Sequence, residues 1–166
     1  MSGAHPASPS DAERLLRALR ERGWSIGVAE SLTGGLVVEA LVAVPGASAS
    51  VRGGIVAYAT PVKASLLGVD AGLLEAQGAV HPEVARQMAE GVRDALAVDG
   101  KAADVGVSTT GIAGPDSPDG QRVGTVFVGI ATPRGTRVES LHLDGTRDAI
   151  RQEAARRAIR LAIEAT

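Results

Sequence analysis

A serine, a threonine and two glycines lie where a predicted strand passes into a predicted helix. The segment runs from Ala29 to Gly35 and reads A-E-S-L-T-G-G. Such a junction exposes free backbone N–H groups and the positive end of the helix dipole, so it suits a nucleophilic hydroxyl or an anionic ligand. The same residue types also suit structural roles, because Ser31 or Thr33 can cap the helix and glycines permit a tight turn. Taken alone, the segment favours capping.

A serine needs a base before it attacks a carbonyl carbon, and this chain offers few bases. The three histidines are His5, His81 and His142. They fall in the N-terminal segment, at a helix start and on a strand, where surface or capping roles are expected. The G-x-S-x-G elbow is absent as well. A Ser-His-Asp triad therefore has no strong candidate, and a lysine whose pKa is lowered by burial is the alternative base.

Lys63 is the attractive lysine, because it lies in an apolar stretch just past a predicted strand end. The only other lysine, Lys101, falls in a surface-like turn. Tyr58 precedes Lys63 by five residues and is a candidate to relay a proton or to orient the lysine. Considered individually, Lys63 favours a solvated helix position and Tyr58 an amphipathic strand end, since most lysines are exposed.

A third polar segment, Thr109 to Pro115, follows another predicted strand. In open α/β sheets, ligands bind at the carboxyl ends of the strands. We therefore expect Thr110 and Gly111 to face the same pocket as Ser31 and Lys63, with glycine permitting close approach of the backbone to a ligand. An ordinary long connection is the other interpretation of this loop.

The elements that must position these residues alternate between helix and strand. Helices are predicted at about 11–22, 34–43, 61–67, 72–77, 82–98 and 145–165, and strands at about 24–29, 54–59, 103–109, 123–131 and 137–143. The last two strands form a possible hairpin. This alternation predicts an α/β protein, a three-layer α/β/α sandwich around a mixed β-sheet. We expect a single domain over residues 11–166 behind a flexible N-terminal segment, residues 1–10.

The composition excludes several classes of protein. The chain has 166 residues, of which 45% are hydrophobic, enough for one globular domain. The absence of cysteine excludes disulfides, thiolate catalysis and Cys-ligated zinc. A net charge of -2 and three aromatic residues argue against a nucleic-acid binder. With neither a signal-peptide pattern nor an apolar run of spanning length, no membrane contact and a cytoplasmic location are the default expectations.

Taken together, the polar segments resemble the CinA carboxy-terminal domain family, whose members include nicotinamide-nucleotide amidohydrolases of the PncC type. The matching motifs are A-E-S-L-T-G-G at 29–35, V-P-G-A-S at 44–48, R-G-G-I-V-A-Y at 52–58, Lys63, L-L-G-V at 66–69, G-A-V at 78–80, T-G-I-A-G-P at 110–115 and V-G-T-V-F-V-G at 123–129. The resemblance covers about residue 11 to the C-terminus. Because several ordered motifs agree, it outweighs the structural interpretation of each segment taken singly.

The resemblance implies a three-layer fold and hydrolysis of a carboxamide in pyridine-nucleotide salvage. Nicotinamide mononucleotide, a small-molecule nucleotide substrate, and water would give nicotinic acid mononucleotide and ammonia without a metal or cofactor. Ser31 matches the nucleophile of the family, Lys63 its partnering base and Tyr58 the tyrosine beside them. The first glycines of the helix, with Thr33, are expected to supply backbone donors for the oxyanion or the substrate phosphate. The substrate-binding residues expected on this basis are Glu30, Thr33, Gly34, Gly35, Arg52, Thr110, Gly111 and Arg147.

Two details of the resemblance stay open. Arg52, Arg147 and Arg151 are candidates for phosphate contact, and surface ion pairing is the alternative for each. The chain also departs from the family, with Leu32 where cysteine is frequent and with P-D-S-P-D-G at 115–120 where glycine is more frequent. The leucine is expected to change packing rather than chemistry, whereas the loop bears on substrate fit.

A non-catalytic nucleotide-binding or protein-interaction module of the same fold is the alternative function. The intact set of Ser31, Tyr58 and Lys63 favours the enzyme, because a pure binder has no need of a desolvated lysine. A homo-oligomer is also expected, since the apolar helix at 82–98 has more hydrophobic surface than one sheet covers.

Overall fold

The computed structural model describes residues 9–117 and 120–166, and its elements alternate as the sequence predicts. They are α1 (Asp11–Arg22), β1 (Ile26–Glu30), α2 (Leu36–Val42), a 3-10 turn (Ala47–Ala49), β2 (Val51–Val56), α3 (Thr60–Leu67), α4 (Ala71–Gln77), α5 (Pro82–Ala95), β3 (Val105–Gly111), β4 (Thr125–Thr132), β5 (Gly135–His142) and α6 (Arg147–Ala165). His5, most of the predicted N-terminal segment and part of the 115–120 loop lie outside the described residues.

The five described strands form one mixed sheet in the order β2-β1-β3-β4-β5. Strands β2, β1 and β3 run parallel, while β4 and β5 pair antiparallel as the predicted hairpin. Glu30, the last residue of β1, pairs with Val56 of β2 on one side and with Thr109 of β3 on the other. The chain segments that leave these three strands therefore emerge together at one edge of the sheet.

Helices cover both faces of the sheet, which confirms the three-layer α/β/α arrangement. On one face, α1, α2 and α6 bury aliphatic side chains such as Leu16, Leu41 and Ala158 against the sheet. On the other face, α3, α4 and α5 form a smaller cluster that includes Met88. Burial of this apolar surface stabilises the fold by roughly 25 cal/mol per Å².

Glycines in the sheet allow α5 to pack unusually close to it. A Cβ atom added to Gly106 would lie 1.9 Å from the carbonyl oxygen of Ala89 in α5. One added to Gly129 would lie 2.4 Å from the carbonyl oxygen of Ala85. The hydroxyl of Ser108 uses this proximity to donate to Ala85 O at 2.6 Å. Helix α5 is thus held against the strand that leads to Thr109 and Thr110.

The predicted boundaries are confirmed for α1, and those of the other elements agree within three residues, with the largest shifts at β2 and at the end of α5. Ser10 forms a capping box with Glu13, and Gly23 ends α1 in the left-handed region at φ 65°. Strand β2 begins at Val51, three residues before the predicted start, because the glycines of R-G-G have low strand propensity. This segment nevertheless pairs with β1, with a register shift between Ile26 and Gly27. The strand ends before Tyr58, which leaves this tyrosine in the connection to α3.

Candidate active site

Ser31 and Lys63 meet at the edge of the sheet where β1 and β2 end. Ser31 follows β1 directly, and Lys63 lies in the first turn of α3, which begins soon after β2. The Nζ atom of Lys63 lies 3.0 Å from Ser31 Oγ. The same nitrogen also donates to the backbone carbonyl oxygens of Ala57 at 2.6 Å and Tyr58 at 3.4 Å. The parallel pairing of the two strands therefore brings the two predicted catalytic side chains into hydrogen-bonding distance.

Lys63 is almost completely buried, with 1% of its surface exposed. Burial disfavours the charged ammonium form and lowers the pKa of Lys63 from 10.5 to about 8. Among residues 9–117 and 120–166, no carboxylate forms an ion pair that would restore the charge. A neutral amine has two N–H donors for the carbonyls of Ala57 and Tyr58 and one lone pair for the hydroxyl of Ser31. Lys63 is thus arranged as a base for Ser31.

The turn that carries Ser31 is anchored to the end of β3. The amide of Ser31 donates to Thr109 O at 3.0 Å, and the hydroxyls of Thr33 and Thr109 lie 2.8 Å apart. Gly34 and Gly35 continue the turn with φ values of 57° and 107°, which a side chain would disfavour. Thr33 is fully buried, so its hydroxyl serves this anchor and has no exposed surface for a ligand.

The side chain of Glu30 binds the backbone amides at the start of α2 from within the protein interior. Its fully buried carboxylate accepts hydrogen bonds from the amides of Gly35 at 3.0 Å, Val37 at 3.1 Å and Val38 at 3.0 Å. The amides expected to bind an oxyanion or a phosphate at this helix start are therefore already paired with an internal anion. The structure gives Glu30 and Gly35 a structural contact instead of the predicted substrate contact.

A cavity of about 350 Å³ opens beside the serine and lysine. Its lining residues are Ser31, Leu32, Tyr58, Thr60, Lys63, Leu74, Gly78, Ala79, Val80, Thr110, Gly111, Ile112, Ala113, Gly114, Asp116 and Arg147. Thr110 and Gly111 thus lie where they were expected, although the hydroxyl of Thr110 donates to Ala79 O at 2.7 Å. Glu30, Thr33, Gly34 and Gly35 lie outside the lining.

Arg52 lies away from this cavity. It stands near the amino-terminal end of β2, whereas Ser31 follows the carboxyl end of the parallel strand β1. Its guanidinium donates to the backbone carbonyls of Leu96 and Lys101. Because a strand separates the two ends, Arg52 cannot contact a phosphate bound beside Ser31, and the prediction for this residue does not agree with the structure.

Tyr58 and Arg147 lie together at the mouth of the cavity. Tyr58 is 62% exposed, and its hydroxyl accepts a hydrogen bond from Arg147 Nη2 at 3.2 Å. Arg147 Nη1 donates to Gly114 O at 2.6 Å. The contact from Tyr58 to Lys63 is made by the backbone carbonyl of the tyrosine. The geometry therefore gives the Tyr58 hydroxyl a place beside Arg147 and not beside the lysine.

Sequence reasoning missed the contribution of Arg151 to the serine turn. Arg151 Nε donates to Leu32 O at 2.9 Å, and its Nη2 atom donates to Thr33 O at 3.2 Å. The available signal was the spacing of Arg147 and Arg151, which places both on one face of α6. That spacing indicates a shared face and does not indicate the carbonyls that the second arginine contacts.

The backbone donors beside Ser31 also differ from those expected. The amide of Gly34 donates to Ser31 O at 3.1 Å and is therefore committed to the turn. Within the described ranges, the amides of Leu32 and Thr33 have no acceptor. Thr33 is fully buried and lies outside the cavity lining, so the N–H group of Leu32, which lines the cavity, is the donor available to an oxyanion at this position.

The described residues contain neither a helix able to span a membrane nor a cluster of metal ligands. No helix in this part of the chain is long and apolar enough to span a membrane. No group of three or more histidine, cysteine, aspartate or glutamate side chains in the same residues is arranged to hold a metal ion.

Comparison with solved structures supports the fold. A competence-damaged protein (CinA) superfamily protein from Klebsiella pneumoniae 700603 superposes with a TM-score of 0.86 at 29% identity, over 93% of this chain and 94% of that one. The competence/damage inducible protein CihA from Agrobacterium tumefaciens gives a TM-score of 0.82 at 32% identity, over 96% and 98% of the two chains.

Curated relatives and a family model extend the comparison. A putative competence-damage inducible protein from Geobacillus kaustophilus is 51% identical over 144 residues, which are 86% of this chain and 34% of the relative. A CinA-like protein from Frankia casuarinae is 51% identical over 140 residues, or 84% and 31%. The chain thus spans about a third of the length of these relatives. Because the model of the CinA C-terminal domain matches residues 9–166, this protein belongs to the CinA C-terminal domain family.

Proposed function

We propose that this protein hydrolyses the carboxamide of nicotinamide mononucleotide to nicotinic acid mononucleotide and ammonia, with Ser31 as nucleophile and Lys63 as base. The observation that carries the proposal is the 3.0 Å separation of Lys63 Nζ and Ser31 Oγ beside an open cavity. A lysine pKa of about 8 supports it, because a useful base titrates near the working pH. The resemblance of the motifs to nicotinamide-nucleotide amidohydrolases supports the substrate, and the match to the CinA C-terminal domain is consistent with it.

The first half of the reaction transfers the acyl group to the enzyme. The neutral amine of Lys63 takes the proton of Ser31 as Oγ attacks the amide carbon. The amide of Leu32, which lines the cavity, stabilises the negative oxygen of the tetrahedral intermediate. A single donor of this kind contributes about 3–4 kcal/mol in a well-studied hydrolase. The lysine then returns the proton to the nitrogen, the C–N bond breaks, and ammonia leaves an ester on Ser31.

The second half hydrolyses that ester. A water molecule enters where ammonia left, Lys63 removes its proton, and the oxygen attacks the ester carbon. When the C–Oγ bond breaks, the proton passes to Ser31 and the carboxylate product is released. Arg147, at the mouth of the cavity, is the arginine best placed for the phosphate of the substrate, because it lines the same cavity as Ser31.

The non-catalytic module remains the second candidate function. One observation counts against the enzyme as predicted, namely that Glu30 already occupies the helix start at which the oxyanion or phosphate was expected to bind, and it leaves a protein-interaction module open. A binder, however, has no use for an unpaired lysine that is 1% exposed, because such burial is unfavourable for the charged form. We therefore favour the enzyme.

Release of ammonia from nicotinamide mononucleotide by the purified protein tests the proposal. We expect turnover by the parent and its loss, by at least about a thousandfold, in Ser31→Ala and in Lys63→Ala, because each removes a group that acts directly on the reacting bond. Ser48→Ala and Lys101→Ala are matched controls, since both residues are exposed and lie away from the cavity. A folded parent without turnover, or Ser31→Ala with full activity, would overturn the assignment. Retained nucleotide binding without turnover in the parent would favour the module.

A further inference from the structure

In the turn after β1, the carbonyl groups of residues 31–33 all accept hydrogen bonds, whereas two of the amide groups donate none to any described residue. Ser31 O accepts from Gly34 N at 3.1 Å, and Leu32 O accepts from Arg151 Nε at 2.9 Å. Thr33 O accepts from Leu36 N at 3.2 Å and from Arg151 Nη2 at 3.2 Å. Within the described chain, the amides of Leu32 and Thr33 have no acceptor.

A hydrogen bond to the C=O group of a peptide also fixes the direction of its N–H group, because both lie in one rigid plane. In a trans peptide the C=O and N–H groups point in opposite directions within one plane, and the only cis bond among the described residues is Gly114-Pro115. When Arg151 holds Leu32 O, it therefore sets the direction of the Thr33 N–H. When Gly34 N holds Ser31 O, it likewise sets the direction of the Leu32 N–H.

Arg151 influences both amides. It fixes the Leu32–Thr33 peptide directly through Leu32 O. Through Thr33 O it also fixes the next peptide, whose N–H belongs to Gly34 and makes the turn bond to Ser31 O. A guanidinium suits two carbonyls at once because its N–H donors form a rigid planar fork.

The surroundings of Arg151 favour this role over that of a surface ion pair. Its side chain is 29% exposed, and its nearest carboxylate, on Asp148, lies 4.0 Å away and is itself 77% exposed. A Cβ atom at Gly34 would lie 3.4 Å from Arg151 Nη2, where φ is already 57°. The glycine therefore leaves room for the guanidinium against the turn.

We propose that Arg151 is a positioning residue, which holds the turn so that the amide of Leu32, the one of the two that lines the cavity, faces the oxygen of the tetrahedral intermediate. This inference rests on the proposed role of Ser31 as a nucleophile, but it does not depend on the identity of the substrate. Arg151 makes no contact with the reacting atoms, and its effect passes through the peptide groups that it holds.

A serine-directed fluorophosphonate tests the inference independently of the nucleotide substrate. In the labelling step Ser31 Oγ forms a bond to phosphorus, the P–F bond breaks, and the serine proton passes to Lys63 while fluoride leaves. The phosphoryl oxygen takes the position of the carbonyl oxygen of an amide. The rate of adduct formation on Ser31, measured by mass spectrometry, therefore reports the oxyanion donor without requiring deamidation.

We expect Arg151→Ala to slow labelling about tenfold to a hundredfold, less than direct loss of a donor, which costs about 10²–10³ in rate. With nicotinamide mononucleotide, kcat falls by a similar factor while KM changes less than about threefold, because the donor acts on the transition state. The rising limb of the pH profile stays in place, since Lys63 is unaltered. Arg156→Ala, on the same helix with an exposed ion pair to Glu153, is the control.

A second variant covers the case in which Arg151→Ala does not fold. Arg151→Lys keeps the charge and much of the stem but loses the fork, and we expect slower labelling at a melting temperature within a few degrees of the parent. Labelling within twofold of the parent in a folded variant would overturn the inference. A parent that forms no Ser31 adduct at pH 9 would overturn both this inference and the serine nucleophile. A parent that is labelled but releases no ammonia would overturn the substrate alone.

Discussion

Lys63 Nζ lies 3.0 Å from Ser31 Oγ, although the two residues are 32 positions apart in the chain. The contact results from two parallel strands that end together, one leading into the serine turn and the other into the helix of the lysine. The lysine is 1% exposed and lines the cavity beside the serine. This pairing determines how both the activity and the stability of the protein should respond to pH.

Activity should increase with pH in the range where Lys63 loses its proton. The neutral amine is the base, and the pKa of Lys63 in the folded protein is about 8. We therefore expect kcat/KM to rise about tenfold per pH unit below that value and to level off above it. Initial rates of ammonia release from pH 6.5 to 9.5 give this profile. Lys101→Met should leave the profile unchanged, whereas a flat profile over this range would argue against Lys63 as the base.

The free energy of unfolding should show the same titration. Because the pKa of Lys63 is about 8 in the folded state and 10.5 when unperturbed, the unfolded chain binds more protons between these two values. The stability contributed at this site is therefore lowest below pH 8 and rises as the pH increases towards 10.5.

Lys63→Met isolates that effect. The free energy of unfolding of the variant, taken relative to that of the parent, should be about 2 kcal/mol lower at pH 10 than at pH 7, because only the parent gains stability as Lys63 loses its proton. Urea denaturation at the two pH values measures the difference. The substitution removes the hydrogen bonds of the lysine at both pH values, so their loss cancels in the comparison. Lys101→Met is the matched exposed control. If the free energy of unfolding differed from that of the parent by the same amount at both pH values, burial would not lower the pKa of Lys63.

Glu30 should matter for stability more than for substrate binding. Its buried carboxylate accepts three backbone amides, with one of its oxygens accepting two of them. In Glu30→Gln the side-chain NH₂ cannot accept, so at least one amide at the start of α2 loses its partner. We expect a loss of about 2–4 kcal/mol in the free energy of unfolding, measured by urea denaturation.

Glu39 supplies the control for that substitution, because it lies on α2 with an exposed side chain. Glu39→Gln should change the free energy of unfolding by less than about 0.5 kcal/mol. If Glu30→Gln were equally mild and instead raised KM, the carboxylate would have to act on the substrate.

Tyr58→Phe should affect binding modestly and chemistry hardly at all. The lost hydroxyl accepts a hydrogen bond from Arg147 at the cavity mouth, whereas Lys63 is held by the tyrosine's backbone carbonyl, which phenylalanine retains. We expect KM to rise about twofold to fivefold with kcat within about twofold, as for one exposed hydrogen bond. Steady-state kinetics measure both constants. A fall of a hundredfold or more in kcat would restore the proton-relay role.

Local patterns allowed most of the elements and the central pair of residues to be predicted from the sequence. The period of the apolar residues indicated the helices, and caps such as Ser10 and Gly23 marked where α1 begins and ends. Strand β2 was predicted at 54–59 and lies at Val51–Val56, because the low strand propensity of the adjacent glycines hid its start, although Gly53 pairs with Gly27 of β1. Local propensity is a weak guide where a neighbouring strand supplies the hydrogen bonds.

The residue types and motifs by themselves determined that Ser31 and Lys63 are the candidates for chemistry. Only the tertiary structure decided the roles of the charged residues around them. The carboxylate of Glu30 binds the amides of α2. Arg52 lies at the amino-terminal ends of the parallel strands, away from Ser31. Arg151 binds the carbonyl groups of the serine turn. The physical reason is that a charge finds its partner through space. Arg151 reaches Leu32 across 119 positions because α6 packs over the serine turn, and no local pattern in the sequence records that packing.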